Sequence, residues 1–248
     1  MAEFIINYGR KLPNGLKKRI ENTVWNRVII DKPLLKCLSL YFNFSEKDAM
    51  CMLKLGKRLN AELWNILKPN NRQEIEAFYR ATPYYIFDLA YWHMQLGQRY
   101  FRKEVLKNCK GCVLDFGGGI GDLSLEIDRR DLQVTYADLE GKTFDFALWL
   151  FKKHNRQIKS INLTFDGLND NYDTIICIDV IEHVVEPAKT LKIFAEHLNE
   201  RGRLIITGPL NQNDDDHPMH IKLDKNLDDY LIELGLSRTK LNWLWIKC

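Results

Sequence analysis

The feature that most constrains the fold of this chain is a short apolar run that ends in glycines. Val113-Leu114-Asp115-Phe116 is followed by Gly117, Gly118, Gly119 and Gly121, and helix-like sequence begins directly afterwards. Glycine lets a backbone bend sharply and approach a ligand without a side-chain clash. The unpaired N–H groups at the start of the following helix point at the same place. The run therefore predicts a strand–turn–helix unit with a ligand at the turn.

Strand-like and helix-like segments alternate from these glycines to the end of the chain. Further strands are predicted at about 133–137, 159–165, 172–179 and 203–207, with two short ones within 237–248. This alternation predicts an α/β fold: a Rossmann-like, mostly parallel, seven-stranded sheet with helices on both faces. Ligands of such sheets bind at the carboxyl edge, where the strand order reverses.

The first 108 residues show helical periodicity instead. Leucines and Trp64 recur every three to four positions, and Ser45 is placed as the N-cap of their helix, three residues before Asp48. A long aromatic helix is predicted from Tyr84 to Asn108. We therefore expect a helical N-terminal cap over 1–108 and a ligand-binding domain over 109–248. The aromatic residues between 78 and 93 form either a lid over the site or the packing between cap and sheet.

The two parts carry opposite charge. Residues 1–110 contain 20 Lys and Arg against 10 Asp and Glu, and residues 111–248 contain 16 against 23, although the whole chain is only +3. Such a basic segment faces a nucleic acid, an anionic substrate, an acidic partner or the acidic half itself. No apolar run reaches the length of a membrane span and no secretory leader is recognisable, so a cytoplasmic protein is expected. The spacing of Cys109 and Cys112 suits zinc or redox chemistry, but without a second ligand pair ordinary thiols are favoured.

The glycine spacing separates two kinds of nucleotide site. A dinucleotide site has Gly-x-Gly-x-x-Gly, and its third glycine falls on Asp122, whose carboxylate would repel a pyrophosphate. The observed Asp-x-Gly-x-Gly-x-Gly, beginning at Asp115, resembles motif I of class I S-adenosylmethionine-dependent methyltransferases. The resemblance implies that S-adenosylmethionine is bound by this turn, with an acidic rim suited to a cationic ligand. It extends by motif over about residues 111–248.

Two strand ends after the glycines add acidic residues to this picture. Asp138-Leu139 follows the second strand, about 20 residues past the glycines, and the resemblance implies that Asp138 binds both ribose hydroxyls, with Glu140 as an alternative. Phe165-Asp166 follows the third strand. In the family an acidic residue here lies beside the adenine amino group, and Phe165 is placed to stack on the base.

The segment after the fourth strand is the most specific match besides the glycines. Its sequence runs Asp179-Val180-Ile181-Glu182-His183, and it resembles a segment of ubiquinone-biosynthesis O-methyltransferases and their small-molecule relatives. The resemblance implies that Asp179 and Val180 line the cofactor pocket and that His183 is catalytic. Some relatives bind a divalent metal such as Mg²⁺ through these positions and a later histidine. The Asp at the first position, where the metal-binding forms have Glu, favours a site without metal.

The loop after the fifth strand contains two further histidines. His217 and His220 follow three aspartates, and loops at strand ends carry function in this architecture. A histidine titrates near neutral pH, so either one is a candidate general base, although a solvated loop is the alternative.

Four functions follow from these residues. A methyltransferase acting on a small-molecule acceptor is favoured, with the methylated atom and the oligomeric state left open. An RNA methyltransferase would use the basic residues Lys11, Lys17, Lys18, Arg19 and Arg27. A nicotinamide-dependent oxidoreductase conflicts with Asp122, and a non-catalytic binding protein conflicts with the complete glycine turn.

Overall fold

The computed structural model describes residues 26–208 and 225–248. Within these described residues, five helices come first, and a mixed α/β unit follows. The helices of the first part are α1 (Lys32–Phe42), α2 (Glu46–Leu67), α3 (Arg72–Ala81), α4 (Tyr84–His93) and α5 (Leu96–Asn108). The second part contains β1 (Cys112–Phe116), α6 (Asp122–Asp128), β2 (Gln133–Asp138), α7 (Lys142–Lys153), β3 (Lys159–Asn162), β4 (Tyr172–Ile178), a 3-10 turn (Ile181–His183), α8 (Pro187–His197), β5 (Leu198–Thr207), α9 (Leu227–Glu233), β6 (Leu236–Arg238) and β7 (Leu244–Lys247).

The seven strands form one sheet in the order β3-β2-β1-β4-β5-β7-β6. The pairs among β1 to β5 are parallel, whereas β7 is antiparallel to both β5 and β6. The predicted Rossmann-like, mostly parallel sheet is therefore confirmed. The strand order reverses between β1 and β4, which leaves a crevice at their carboxyl ends. The glycine turn lies at this crevice.

The helical cap and the sheet share one hydrophobic core. Leu38 of α1, Leu53 of α2 and Phe87 of α4 are buried in the same cluster as Tyr136 of β2 and Phe146 of α7. Edge-on aromatic contacts stabilise this cluster, since the ring centroid of Tyr41 lies 5.0 Å from that of Phe146. The cap thus packs directly on the sheet's helical layer. A domain boundary at residue 109 stays a prediction.

The cap and the core also meet backbone to backbone at Gly141. This residue precedes α7 with φ 140° and ψ −165°, a region open essentially only to glycine. A Cβ built on Gly141 would lie 2.4 Å from the carbonyl oxygen of Arg80, at the end of α3. The contact is therefore possible only for glycine.

Two local predictions about the cap meet different outcomes. The predicted N-cap is confirmed, because the Ser45 hydroxyl accepts a hydrogen bond from the Asp48 N–H at 3.1 Å. The single helix predicted over 84–108 is wrong. The extended segment before α1 pairs with the break between α4 and α5, where the Ile29 N–H donates to the carbonyl of Met94 at 2.9 Å. Val28 and Gln95 form an antiparallel bridge at the same point. The helical periodicity of the sequence does not reveal a pairing between segments so far apart, so the break between α4 and α5 was not predicted.

Within the described residues, no helix combines the length and the apolar character that crossing a membrane requires.

Candidate active site

A cavity of about 370 Å³ lies between the carboxyl ends of the strands and the cap. Its floor is the glycine turn with the residues after β2 and β4, and its roof is formed by α3, α4 and α5. Most of the predicted cofactor residues line it: Asp115, Gly117, Gly118, Gly119, Asp138, Leu139, Asp166, Asp179 and Val180, together with the predicted catalytic His183. The fold thus brings together side chains that are separated by up to 68 positions in sequence.

The glycine turn is held by backbone bonds and has no space for side chains. The N–H groups of Gly117 and Gly118 donate to the carbonyl of Ala137 at 2.8 and 3.3 Å. A Cβ on Gly117, where φ is +67°, would lie 2.5 Å from a methyl group of Val180. The turn is therefore fixed close to both neighbouring strands, and its backbone remains accessible from the cavity.

Gly121 belongs to the turn but does not line the cavity. A Cβ on it would lie 2.8 Å from the ring of Phe151 in α7. The residue has φ +75° and immediately precedes α6. The absence of a side chain at Gly121 therefore allows α6 to pack closely on α7. This role is structural and differs from the cofactor contact that the sequence predicts.

Asp138 presents a carboxylate to the cavity beside the turn. Its Oδ2 accepts from the Gly119 N–H at 2.8 Å, and its Oδ1 accepts from the Leu139 N–H at 2.7 Å. Burial raises the pKa of Asp138 to about 7, although the two backbone bonds oppose that shift. Each oxygen accepts one backbone bond and keeps a second lone pair. Glu140, the alternative, is exposed and donates its N–H to the Thr164 hydroxyl.

Asp115 is buried beneath the turn. The Ser124 hydroxyl donates to its Oδ2 at 2.6 Å, and only 3% of the residue is exposed. Burial raises the pKa of Asp115 to about 6, and the Ser124 bond and the charge of Arg102 act against that rise. Asp115 therefore connects β1 to α6 while it also lines the cavity.

The expectation of an acidic rim at Asp122 is wrong. Its carboxylate pairs with Arg102 at 3.0 Å and with His93 at 3.1 Å, both from the cap. Burial alone would raise the pKa of Asp122, but the charges and hydrogen bonds of Arg102 and His93 outweigh it and hold the pKa well below its usual range. The charge is thus neutralised inside the protein. The sequence could not show this because both partners lie in another part of the chain.

Arg102 is a candidate functional residue that sequence reasoning missed. It lines the cavity, is 7% exposed, and uses Nη1 to bind Asp122. Its Nη2 is buried without a hydrogen-bond partner among the described residues. A buried guanidinium N–H without an acceptor is costly, so this atom indicates an anionic or carbonyl group of a ligand. In sequence Arg102 looks like its exposed basic neighbours in α5, and no signal distinguishes it.

Asp179 is held in an unusual conformation at the end of β4. Its φ is +53°, which is uncommon for a residue other than glycine. Thr207 of β5 donates a hydrogen bond to Oδ1 at 2.9 Å, and the Trp92 indole of the cap donates to Oδ2 at 3.2 Å. The cap and the sheet therefore both fix this carboxylate at the cavity.

The two residues that follow in the 3-10 turn differ in environment. Glu182 is 1% exposed, and burial, with a smaller contribution from Asp179, raises its pKa to about 8. His183 lines the cavity, and its Nδ1 lies 2.8 Å from the Tyr79 hydroxyl of α3. Glu182 is therefore a buried neutral acid near neutral pH, whereas His183 is a polar group at the cavity wall.

The fold places the two predicted site residues after β3, Phe165 and Asp166, in different environments. Asp166 lines the cavity, whereas Phe165 is 72% exposed and is absent from the lining. The predicted strand ends early because the Asn162 side chain accepts from the Thr164 N–H at 3.1 Å and starts a turn. This turn directs Phe165 away from the site, so its stacking on an adenine gains no support from the geometry.

Three earlier expectations concern histidines and metal. His217 and His220 lie outside the described residues. Among the residues that are described, no group of three or more His, Cys, Asp or Glu side chains is arranged to hold a metal ion. Asp179, Glu182 and His183 therefore do not form such a group by themselves.

The comparisons with known proteins agree with this architecture. A family model described as a methyltransferase domain matches residues 89–245, which is more than half of the chain. The fold and the glycine turn described above are those of the class I S-adenosylmethionine-dependent methyltransferases. The chain belongs to this methyltransferase family.

Two curated relatives and one solved structure are similar to parts of this chain. A ubiquinone biosynthesis O-methyltransferase of Idiomarina loihiensis is 31% identical over 136 residues, covering 53% of this chain and 50% of the relative. A 23S rRNA (uracil(747)-C(5))-methyltransferase of Pyrococcus horikoshii is 35% identical over 107 residues, covering 40% of this chain and 23% of the relative. The chain thus spans half or less of these relatives. The structure of a magnesium protoporphyrin IX methyltransferase from Synechocystis PCC 6803 with bound SAM aligns with a TM-score of 0.47 and 19% identity, over 62% of this chain and 81% of that one.

Proposed function

We propose that this protein is an S-adenosylmethionine-dependent methyltransferase that acts on a small-molecule acceptor in the cavity beneath its helical cap. The observation that carries the proposal is the cavity itself. It joins the glycine turn and Asp138 on one side to α3 and the start of α8 on the other. The half that contains the glycine turn and Asp138, which we call the cofactor half, is suited to the cofactor. The half that contains α3 and the start of α8, which we call the acceptor half, is suited to a second ligand.

The cofactor half fits the groups of an amino-acid nucleoside. The orphaned Nη2 of Arg102 is suited to a carboxylate, which would complete its hydrogen bonding. The Asp138 carboxylate retains acceptor capacity for two sugar hydroxyls, and the glycines permit close approach to the backbone. Arg102, Asp138 and the turn would thus hold S-adenosylmethionine, whose sulfonium supplies an activated methyl group when it is bound. The protein's task is then to align an acceptor and exclude water.

The acceptor half is apolar and its rim is electrically balanced. Arg72 pairs with Glu76 at 2.7 Å and with Glu186 at 2.7 Å, and Lys189 lies 3.6 Å from Glu186. The two cations are therefore opposed by two anions at the rim. Behind the rim the wall is aliphatic and aromatic, formed by Ile75, Tyr79, Leu168, Val184, Val185 and Ile193.

This electrostatic balance favours an uncharged or weakly charged small molecule over a nucleic acid. A polyanion is attracted by an excess of positive charge, which this rim does not offer. RNA methylation remains the second candidate because of the similarity to the rRNA methyltransferase and the basic segment before α1. Of the residues proposed for RNA contact, only Arg27 is described, and it is exposed. A retention assay with structured RNA at 50 and 200 mM salt tests this alternative: tight, salt-dependent binding would favour RNA.

The cofactor site is tested by calorimetry with S-adenosylhomocysteine. We expect wild-type protein to bind it and Asp138→Asn, which keeps the shape but loses the charge, to bind about 1.5 to 3 kcal/mol more weakly. Glu140→Gln is the matched control, because it removes an exposed carboxylate two residues away, and it should bind like wild type. Wild-type protein that ignores the nucleoside at millimolar concentration would overturn the proposal.

The same titration has an expected pH dependence. Since burial raises the pKa of Asp138 to about 7, the carboxylate gains a proton as the pH falls through that value. The protonated form accepts hydroxyl protons poorly, so affinity should decrease from pH 8 to pH 6. Asp138→Asn should lose this component, whereas Glu140→Gln should retain it.

A further inference from the structure

The cavity wall contains a buried hydroxyl group that has no role in the account so far. Thr143, the second residue of α7, lines the cavity and is 6% exposed. Its Oγ1 is buried and has no hydrogen-bond partner among the described residues. A buried hydroxyl without a partner is costly, and such groups in folded proteins are normally paired. The unpaired Oγ1 therefore points to a polar group of a ligand.

The start of α7 adds further hydrogen-bond donors beside this hydroxyl. The N-cap of the helix is Gly141, which has no side chain to accept a hydrogen bond from the first turn. The first N–H groups of a helix have no partner within the helix itself. Gly141 lines the cavity together with Thr143. The cavity wall at this point therefore combines the Thr143 hydroxyl with the positive end of the α7 dipole.

The contact between the cap and the core fixes the position of this helix start. Gly141 lies so close to the end of α3 that a Cβ on it would be 2.4 Å from the carbonyl oxygen of Arg80. On the other side of Thr143, the ring of Phe144 packs against that of Tyr136 in β2, with centroids 5.6 Å apart. The start of α7 is therefore held between cap and sheet, and Thr143 has a defined position at the cavity.

The charges near Thr143 select the kind of ligand group. Asp138 lines the same cavity five positions earlier in the chain, and each of its carboxylate oxygens retains acceptor capacity. The carboxylate would repel an anionic group, and a cationic group would face the positive end of α7 and could not accept from its N–H groups. A neutral hydroxyl suits both sides, because it donates to a carboxylate and accepts from O–H and N–H donors. The wall therefore matches a sugar hydroxyl.

We propose that Thr143 binds a ribose hydroxyl of the cofactor, with its Oγ1 donating to the sugar oxygen whose own proton is donated to Asp138. This inference rests on the proposed function and extends it. The sugar is contacted from two sides, by an acceptor at the end of β2 and by a donor at the start of α7. A ligand that lacks this hydroxyl loses both contacts at once. Because the cap holds the start of α7 in place, the seating of the cap also contributes to recognition of the sugar.

Calorimetry with S-adenosylhomocysteine and with its 2′-deoxy and 3′-deoxy analogues tests this contact. The titrations are made at pH 8.5, where Asp138 is ionised because its pKa of about 7 lies below this pH. Thr143→Val keeps the shape and removes the hydroxyl. We expect it to bind S-adenosylhomocysteine roughly two- to tenfold more weakly than the wild type, as for the loss of one hydrogen bond. For one of the two deoxy analogues, variant and wild type should bind equally. Thr143→Ser, which keeps the hydroxyl, should bind S-adenosylhomocysteine better than Thr143→Val.

The stability of the unliganded variant separates a ligand contact from a structural role. Because Oγ1 has no partner among the described residues, Thr143→Val should unfold at the same urea concentration as the wild type or at a higher one. Thr135→Val is the matched control for binding. Thr135 is 7% exposed and does not line the cavity, so this variant should bind S-adenosylhomocysteine like the wild type.

Two binding results would contradict the role of Thr143. One is wild-type affinity in Thr143→Val, and the other is an equal loss of affinity for S-adenosylhomocysteine and for both deoxy analogues. An unliganded Thr143→Val protein that is less stable than the wild type, or that does not fold, would also contradict it, since the hydroxyl would then have a partner within the protein. Wild-type protein that binds none of the three nucleosides refutes the proposed function itself, so the two failures are distinguishable.

Discussion

The two halves of the cavity are built in different ways. The cofactor half is made of backbone geometry close to the strand ends, as at Gly117 and Gly119, with Asp138 bonded to the turn itself. The acceptor half is made of side chains that meet across long sequence distances, such as Tyr79 with His183. The first kind of site depends on local conformation, and the second depends on how the cap is seated. The difference shows that the cap is part of the site and not merely a cover.

The largest expected effect comes from breaking the contact between the cap and the core at Gly141. Gly141→Ala places a methyl group against the Arg80 backbone in a conformation that alanine avoids, so the free energy of unfolding should fall by about 4 kcal/mol. Urea denaturation measures it.

Gly235→Ala is the matched control for Gly141→Ala. Gly235 also has a positive φ, +81°, but open space surrounds its Cβ position. It should cost about 1 kcal/mol, for the backbone conformation alone. Equal losses in the two variants would show that the close approach of cap and core is unimportant.

The next prediction concerns the pH dependence of stability that the buried Glu182 should cause. Because the pKa of Glu182 is raised to about 8 in the folded protein, its neutral form stabilises the fold at low pH, and this contribution is lost as the pH rises through 8. Wild-type protein should therefore lose about 3 kcal/mol of stability relative to Glu182→Gln between pH 6 and pH 9. Urea denaturation of both proteins at the two pH values gives the difference. Glu140→Gln should follow the wild-type profile, and a parallel Glu182→Gln profile would contradict the burial argument.

A smaller effect tests whether the cap contributes to the cofactor half. Arg102→Met removes the guanidinium whose Nη2 lacks a partner, so affinity for S-adenosylhomocysteine should fall by about 1.5 to 3 kcal/mol in calorimetry. Arg99→Met, on the same helix, removes a half-buried guanidinium that does not line the cavity and donates to the Ile29 carbonyl, and it should bind normally. Unchanged affinity in Arg102→Met would show that this cap residue does not contribute to cofactor binding, which would then depend on the residues at the strand ends.

The smallest effect is expected at Phe165. Because this side chain is 72% exposed and does not line the cavity, Phe165→Ala should change the affinity for S-adenosylhomocysteine by less than about 0.5 kcal/mol. A loss of 1 kcal/mol or more in calorimetry would restore the predicted stacking on adenine, and it would imply that the turn after β3 rearranges when the ligand binds.

Much of the cofactor half was predictable from the sequence. The glycine spacing, the apolar strand before it and Asp138 at the end of the next strand are local patterns, and parallel strands bring such ends to one edge. The same reasoning was incomplete where a side chain's direction depends on a turn. Gly121 and Phe165 have the expected positions along the chain, but the packing of α6 on α7 and the turn at Asn162 direct them elsewhere.

The sequence by itself determined the class of fold, the edge of the sheet that carries the site and the turn that faces the ligand, because periodicity and glycine spacing report local backbone conformation. Only the tertiary structure decided that Asp122 is neutralised, that Arg102 has an unused donor and that Tyr79 meets His183. The physical reason is that the charge state and orientation of a buried polar group are set by neighbours in space. Those neighbours come from helices that the sequence places far away.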